Sequence, residues 1–247
     1  MITVDSDIGS SIERAHYALI PSHKFSFSPD LTESGQSFSR DWAHLEPDPY
    51  MADGGSYRLR RYGLFRLDAE TTRLSHIPGA AFYQSIEINP LNGGEDRHFA
   101  PLDADTVNNP FLHELIRFDF SQLTSNKRIE DHWMVGVHQI RITATAGVPG
   151  NPTPEGIHRD DETYTVQHLI ARQNIDGGIN YFYGNGLEPT QRPQVVWKQE
   201  SYFGSYYFDR SVWRSVCPIL PADGDGDAHR DILLIDFIAS PRVTGLV

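Results

Sequence analysis

The second half of the chain is a dense series of short segments rich in β-branched and aromatic residues. Each segment is separated from the next by glycine, asparagine, aspartate or proline, which favour turns. The segments are 133–145, 164–170, 178–183, 195–197, 202–208, 213–218 and 231–238. Strands at this density, with little helix between them, are typical of a sandwich or jelly roll. The sequence therefore predicts a mainly β fold with a few flanking helices.

The middle of the chain contains further strand patterns and one clear helix. Residues 57–67 alternate and are rich in aromatics, and 74–77 and 82–88 follow as shorter strands. We expect three arginines of the first run to form a solvated face: Arg58, Arg60 and Arg61. Asn109 to Phe120 is the best helix pattern, with Asn109 as N-cap and Pro110 at the first helical position.

The first 50 residues have a weaker pattern. Residues 8–20 fit a short helix capped by Ser10 or Ser11, and the Ser-, Pro-, Asp- and Gly-rich stretch 26–39 indicates a loop. No repeat or linker interrupts the remainder. We therefore expect one domain over residues 1–247, with 1–50 as an N-terminal helix and loop extension.

Charge and cysteine content limit the classes of function. The net charge of −12 argues against a nucleic-acid-binding protein, which needs a basic patch. One cysteine, Cys217, excludes an internal disulfide and suits a reducing cytoplasm. The acidic start has no signal-peptide pattern, and no apolar run has the roughly 18–20 residues of a membrane span. We expect a soluble, cytoplasmic protein that acts on a small molecule, and the oligomeric state cannot be read from the sequence.

The segment from Gly156 to Glu162 contains a candidate pair of metal ligands. In an extended segment side chains alternate, so His158 and Asp160 would point the same way with Arg159 opposite. By itself the His-x-Asp pattern is weak because it occurs by chance in many proteins.

With these strands in place, the chain resembles the iron(II)/2-oxoglutarate dioxygenases, in particular the bacterial group typified by L-isoleucine 4-hydroxylase. The matching residues run in order over roughly residues 55–240. They are Arg97-His98-Phe99, Asn109-Pro110, Arg117-Phe118-Asp119, Gly136 to Arg141, His158 to Glu162, His168-Leu169, Gly177-Gly178 and Arg230 to Leu234.

This resemblance implies a double-stranded β-helix, or jelly roll, that holds Fe(II) through two histidines and a carboxylate. His158 and Asp160 match the first two metal ligands, and Arg230 matches the arginine that binds the distal carboxylate of 2-oxoglutarate. A planar, permanently charged guanidinium suits that role, although Arg230 could instead pair with Asp231. The implied reaction converts 2-oxoglutarate to succinate and carbon dioxide while a substrate, expected to be a free amino acid, is hydroxylated.

Several other polar residues have open roles. Gln139 and Arg141 share one face of an alternating strand, where they could bind the carboxylate of an amino-acid-like substrate or form a buried structural pair. We expect His138 and His168 to be core or supporting histidines and not ligands.

Arg214 stands where the family pattern has its second histidine ligand. Arginine stays protonated and has no lone pair to give to a metal. Three hypotheses follow. Iron binds through His158 and Asp160 alone, with water or another residue such as His229 in the third position. Alternatively, Arg214 replaces the cation, pairs with Asp160 and leaves a metal-free binding protein, or a different histidine completes the site.

Overall fold

The computed structural model describes residues 1–86, 93–123, 132–224 and 226–240. Within them are four α-helices and two short 3-10 helices, Ser22–Lys24 and Asp41–His44. The α-helices are α1 (Ile8–Ala15), α2 (Pro29–Arg40), α3 (Ala104–Val107) and α4 (Pro110–Leu123).

Strands make up most of the regular structure. They are β1 (Ile2–Val4), β2 (Tyr17–Ile20), β3 (Phe25–Phe27), β4 (Glu46–Pro47), β5 (Arg58–Asp68), β6 (Leu74–Ile77), β7 (His132–Ala144), β8 (Tyr164–Gln173), β9 (Ile175–Gly177), β10 (Asn180–Phe182), β11 (Val195–Trp197), β12 (Ser205–Asp209), β13 (Arg214–Val216), β14 (Ile219–Pro221) and β15 (Ala228–Ser240).

The largest sheet is antiparallel and has the strand order β2-β12-β8-β15-β7-β5-β4, with β6 also paired to β5. A smaller antiparallel sheet has the order β11-β10-β13. It packs over the larger sheet through Phe182 of β10, whose ring centroid lies 5.6 Å from that of Tyr206 on β12. Two facing antiparallel sheets with helices on the outside confirm the predicted mainly β, jelly-roll architecture.

The two faces of the large sheet have different neighbours. Because side chains alternate along a strand, Leu233, Ile235 and Phe237 of β15 join the apolar core that also contains Leu112 and Leu115 of α4. The residues between and before them on β15 line a cavity on the opposite face, toward the small sheet: Arg230, Ile232, Leu234 and Asp236. The helices therefore stabilise one face and leave the other for ligands.

The strand pattern of the second half and the helix after Asn109 are confirmed. The Asn109 side chain accepts a hydrogen bond from the backbone N–H of Phe111 at 2.9 Å, as an N-cap residue does. The expected strand over 82–88 is wrong in its described part, where Phe82 forms one isolated bridge with Arg97. Residues 87 and 88 lie outside the described part.

The predictions for the first 50 residues were mostly wrong in detail. Helix α1 is capped by Asp7, which accepts from the N–H of Ser10, and ends at Ala15. The rest of the predicted helix is β2, which pairs with β12 in the large sheet. The expected loop at 26–39 contains α2, which begins with Pro29 in its first turn. Much of the first 50 residues is therefore part of the core.

In the described residues, no helix has both the length and the apolar character of a membrane span.

Candidate active site between the two sheets

A polar cavity of about 100 Å³ lies between the large sheet and the small one. Strands β5, β7, β8 and β15 form one wall, while β13 and the segment 152–162 form the other. The charged and polar lining residues are Arg58, Arg60, Gln84, Arg97, Thr153, Glu155, His158, Arg159, Asp160, Glu162, Gln167, Arg214, Arg230 and Asp236. His158, Asp160, Arg214 and Arg230, which the sequence singled out, are thus brought together.

His158 is held in the wall by an isolated antiparallel bridge to Arg214. The backbone N–H of His158 donates to the Arg214 carbonyl at 3.0 Å, and the Arg214 N–H donates back at 2.9 Å. The His158 Nδ1 lies 3.0 Å from the Gly156 carbonyl. A proton on Nδ1, assigned from that acceptor, leaves the lone pair on Nε2, which lies 3.7 Å from Asp160 Oδ1.

Arg214 binds the carboxylate of Asp160 directly. Its Nε donates to Oδ2 at 2.8 Å and its Nη2 to Oδ1 at 3.0 Å, and the guanidinium lies over the Phe208 ring. Burial alone would raise the pKa of Asp160, but Arg214 and His158 together hold it below its ordinary value. Burial likewise opposes the charge of Arg214, yet Asp160 and Tyr206 raise its pKa above the ordinary value. The two charges therefore satisfy each other.

Arg230 is almost fully buried and lacks such a partner. Its Nη2 donates to the side-chain oxygen of Gln199 at 2.6 Å, whereas its Nε and Nη1 have no hydrogen-bond partner among the described residues. Burial lowers the pKa of Arg230 to about 10, and the neighbouring cations Arg172 and Arg214 act in the same direction. The neighbouring Asp231 does not pair with it, because Asp231 binds Arg141. Arg230 is thus a buried cation whose free N–H groups suit an incoming carboxylate.

Gln139 and Arg141, which the sequence raised as possible substrate contacts, lie on the face of β7 that points away from the cavity. Ile140 lines the cavity, whereas Gln139 and Arg141 do not. Gln139 is fully buried on the face toward the helices, and Arg141 donates two bonds of 2.7 Å to Asp231. The alternation was predicted correctly, but sequence alone did not show which of the two faces meets the cavity.

Three other histidines that the sequence raised do not line the cavity. His138 Nε2 lies 2.8 Å from Asp236 Oδ2, and burial lowers the pKa of His138 well below its ordinary value. His168 lies 2.9 Å from the Asp119 carboxylate, on the face toward α4. His229, the alternative third ligand, lies beside Asp231 and outside the cavity lining.

The prediction of a solvated arginine face on β5 is wrong for two of its three members. Arg58 and Arg60 are buried and line the cavity, as does Arg97 from the following loop. Arg61, on the opposite face, lies near Glu46 and Asp103. In the sequence, the signal for burial was that Arg58 and Arg60 lie on the same strand face as the aromatic residue Tyr62. The structure shows that the Tyr62 ring is also buried.

Two buried carboxyl groups complete the cavity wall. Burial and the nearby Asp160 carboxylate raise the pKa of Glu162 to about 7. Asp236 accepts from Thr165 and lies against His138, and burial and Glu162 raise its pKa well above the ordinary value. Neither carboxyl group stands at a distinctive spacing in the sequence.

A family model for 2OG-Fe dioxygenases matches residues 39–236 of the chain. The chain belongs to the 2OG-Fe dioxygenase family. This family uses ferrous iron and 2-oxoglutarate, so the chain is an oxidoreductase of the dioxygenase class.

Individual relatives in the 2OG-Fe dioxygenase family extend over most of the chain. L-isoleucine-4-hydroxylase of Bacillus thuringiensis is 28% identical over 199 residues, covering 80% of this chain and 80% of that protein. The 3(1)-hydroxy-L-isoleucine 4-dioxygenase of Pantoea ananatis is 25% identical and covers 94% and 95% of the two chains. The crystal structure of a bsmA homologue from Methylobium petroleophilum is 26% identical, with a TM-score of 0.80 and coverage of 95% and 92%.

The cavity fits 2-oxoglutarate better than it fits a three-ligand iron site. Arg230, with two unpaired N–H groups in a buried wall, fits a carboxylate of 2-oxoglutarate. A three-ligand iron site does not fit, because Arg214 occupies the third position and already binds Asp160. Among the described residues no group of three His, Cys, Asp or Glu side chains is arranged to hold a metal. His158 and Asp160 are thus left as an incomplete donor pair.

Proposed function

We propose that this 2OG-Fe dioxygenase binds 2-oxoglutarate through Arg230 and hydroxylates a small, amino-acid-like substrate in the same cavity. The observation that carries the proposal is the buried guanidinium of Arg230, whose Nε and Nη1 lack partners in the part of the chain that the structure describes. An uncompensated buried cation is unfavourable by several kcal/mol, so an anionic ligand at this point would stabilise the protein.

His158 and Asp160 are the side chains that we assign to iron. Both line the cavity, and Nε2 of His158 lies 3.7 Å from Asp160 Oδ1. Arg214 opposes iron at this pair, because its guanidinium binds both Asp160 oxygens and places a positive charge beside them. We therefore expect the wild-type protein to bind divalent metal weakly.

The amino-acid substrate is proposed from the relatives. The protein of Bacillus thuringiensis is named as an L-isoleucine hydroxylase, and that of Pantoea ananatis as a dioxygenase of a hydroxylated isoleucine. Both relatives are named as enzymes, so they do not favour the alternative of a non-catalytic binding protein. The polar character of the cavity agrees with a charged small molecule.

Two measurements test this function. Calorimetric titration with 2-oxoglutarate, without oxygen and with or without Fe(II), should show binding to the wild type. The Arg230→Gln variant should bind at least about 30-fold more weakly, as expected when one partner of a buried charge pair is removed. The exposed Arg192→Gln variant is the matched control and should bind as the wild type does. Equal affinity of Arg230→Gln and wild type would contradict the assignment.

Turnover is tested by measuring succinate with Fe(II), oxygen, 2-oxoglutarate and a panel of L-amino acids. At least one amino acid should raise succinate formation above the level without substrate, and the hydroxylated product should appear in equal amount. Binding of 2-oxoglutarate without any such increase would show a ligand-binding protein instead of a hydroxylase.

A further inference from the structure

A second group of buried arginines lies in the same cavity, away from Arg230. Arg58 and Arg60 are on β5, and Arg97 is on the loop that bridges back to Phe82. Arg60 pairs in register with Ile140, which pairs with Ile232 of β15. Arg60 is therefore two strands across and two residues along from Arg230, or about 12 Å between Cα atoms at ordinary sheet spacings.

Two of these three arginines have no carboxylate hydrogen-bond partner among the described residues. Arg58 has a carboxylate partner, since its Nε donates to Asp48 at 2.6 Å. By contrast, the other two contact uncharged side chains among the described residues: Arg60 contacts His138 Nδ1 at 2.5 Å and Arg97 donates to the Gln84 oxygen at 2.8 Å. The Nε atoms of Arg60 and Arg97 have no partner among the described residues. Two buried cations thus have unused hydrogen-bonding capacity.

Two aromatic rings fix these guanidinium groups. The Arg60 guanidinium lies 4.1 Å from the centroid of Phe99 and 5.1 Å from that of Phe82. The Arg97 guanidinium lies 4.8 Å from the Phe82 centroid. Rings cover the faces of the cations and leave their N–H edges for hydrogen bonds. Both residues are more than nine-tenths buried, so water from bulk solvent reaches them poorly.

Burial and mutual repulsion act on both residues in the same direction. Burial lowers the pKa of Arg60 to about 9, with the neighbouring Arg58 adding to the effect. The pKa of Arg97 is lowered by burial and by Arg58 as well. A small anion held by their N–H edges would relieve both effects.

We infer that Arg60 and Arg97 together bind the carboxylate of the substrate, while Arg230 binds the 2-oxoglutarate. This inference rests on the proposed function, because it takes the Arg230 end of the cavity as the cosubstrate site. It assigns the recognition of a small monocarboxylate, such as a free amino acid, to residues that are separate from the donor pair His158 and Asp160. The carboxylate would lie between β5 and the bridge that joins Phe82 and Arg97.

The test first compares ligands that differ in charge, using the wild-type protein, and then compares protein variants. Calorimetry with metal-free protein saturated with 2-oxoglutarate, and again without it, is run with a panel of L-amino acids that includes L-isoleucine. Each amino acid that binds is compared with its amide, which lacks the negative charge. We expect at least one amino acid to bind, and its amide to bind at least about tenfold more weakly, as loss of a charge-assisted bond implies. This comparison uses the wild type and is independent of variant folding.

The variants Arg60→Gln and Arg97→Gln should each weaken amino-acid binding at least about tenfold. Their affinity for 2-oxoglutarate should stay within about threefold of the wild type, and circular dichroism checks that they fold. Arg66→Gln, an exposed position on the same strand, is the matched control. The inference is overturned if no amino acid binds, or if the amides bind equally well. It is also overturned if Arg97→Gln weakens the binding of 2-oxoglutarate as much as Arg230→Gln does, because Arg60 and Arg97 would then be part of the cosubstrate site. Failure of the wild type to bind 2-oxoglutarate would instead count against the proposed function.

Discussion

Arg214 and Arg230 are buried arginines of one cavity, and they differ in what their guanidinium groups contact. Arg214 binds both oxygens of Asp160, and its pKa is raised by that partner. Arg230 contacts one neutral amide, its Nε and Nη1 have no partner in the described part of the chain, and its pKa is lowered. A buried cation with its own carboxylate is already neutralised within the fold, whereas one without a carboxylate is suited to a ligand.

The largest expected effect is a loss of protein stability when the pair of Arg214 and Asp160 is broken. Asp160→Asn leaves the Arg214 guanidinium buried without a counter-charge, so we expect the free energy of unfolding to fall by about 3–5 kcal/mol. Urea unfolding measures the change. The exposed neighbour Asp161→Asn is the control and should behave as the wild type does. A loss below about 1 kcal/mol would mean that the two arginines do not differ in the way described.

The next effect concerns metal affinity. Arg214→His removes the cation that binds Asp160 and adds an imidazole at the third ligand position. Affinity for Fe(II) or Mn(II) should therefore rise more than about 100-fold. Such a gain is larger than the effect of residues that only support a metal ligand. Anaerobic titration of metal-free protein measures it, with the exposed Arg210→His as control. Unchanged affinity would show that Arg214 is not what limits metal binding.

A smaller effect is expected on the other face of β7. Arg141→Gln removes two hydrogen bonds to Asp231 and should lower stability by about 1–2 kcal/mol, because the pair is partly exposed. Affinity for 2-oxoglutarate and for amino acids should not change, since Arg141 does not line the cavity. Weaker amino-acid binding in this variant would restore the substrate role predicted from the sequence.

The smallest effect is expected at Arg230 in the absence of ligand. Arg230→Gln removes a buried charge that has no carboxylate partner, so stability should stay within about 1 kcal/mol of the wild type or rise. Urea unfolding without 2-oxoglutarate measures this. A loss comparable to that of Asp160→Asn would identify Arg230 as a structural cation.

The strand pattern and the helix after Asn109 could be predicted because each depends on local periodicity and capping, whereas the choice of a jelly roll over another sandwich came from the family resemblance. The resemblance also singled out four residues that the fold places in one cavity: His158, Asp160, Arg214 and Arg230. The departure at Arg214 was visible in the sequence, but its bidentate contact with Asp160 was only one of three hypotheses.

The errors have two physical causes. Alternation along β5 and β7 shows which residues share a face but not what covers that face, so Arg58 and Arg60 were assigned to solvent, and Gln139 and Arg141 were left between a substrate contact and a buried pair. In the first 50 residues, composition was a poor guide. The Ser- and Gly-rich stretch forms α2 because Leu31, Gly35 and Phe38 create a buried stripe at helical spacing.

A crystal structure of the protein with 2-oxoglutarate, grown without oxygen, tests the central claim most directly. We expect a carboxylate of 2-oxoglutarate to accept a hydrogen bond from at least one of Nε and Nη1 of Arg230, which lie on different edges of the guanidinium and now have no partner among the described residues. A structure in which 2-oxoglutarate binds elsewhere while those two atoms stay unpaired would contradict it.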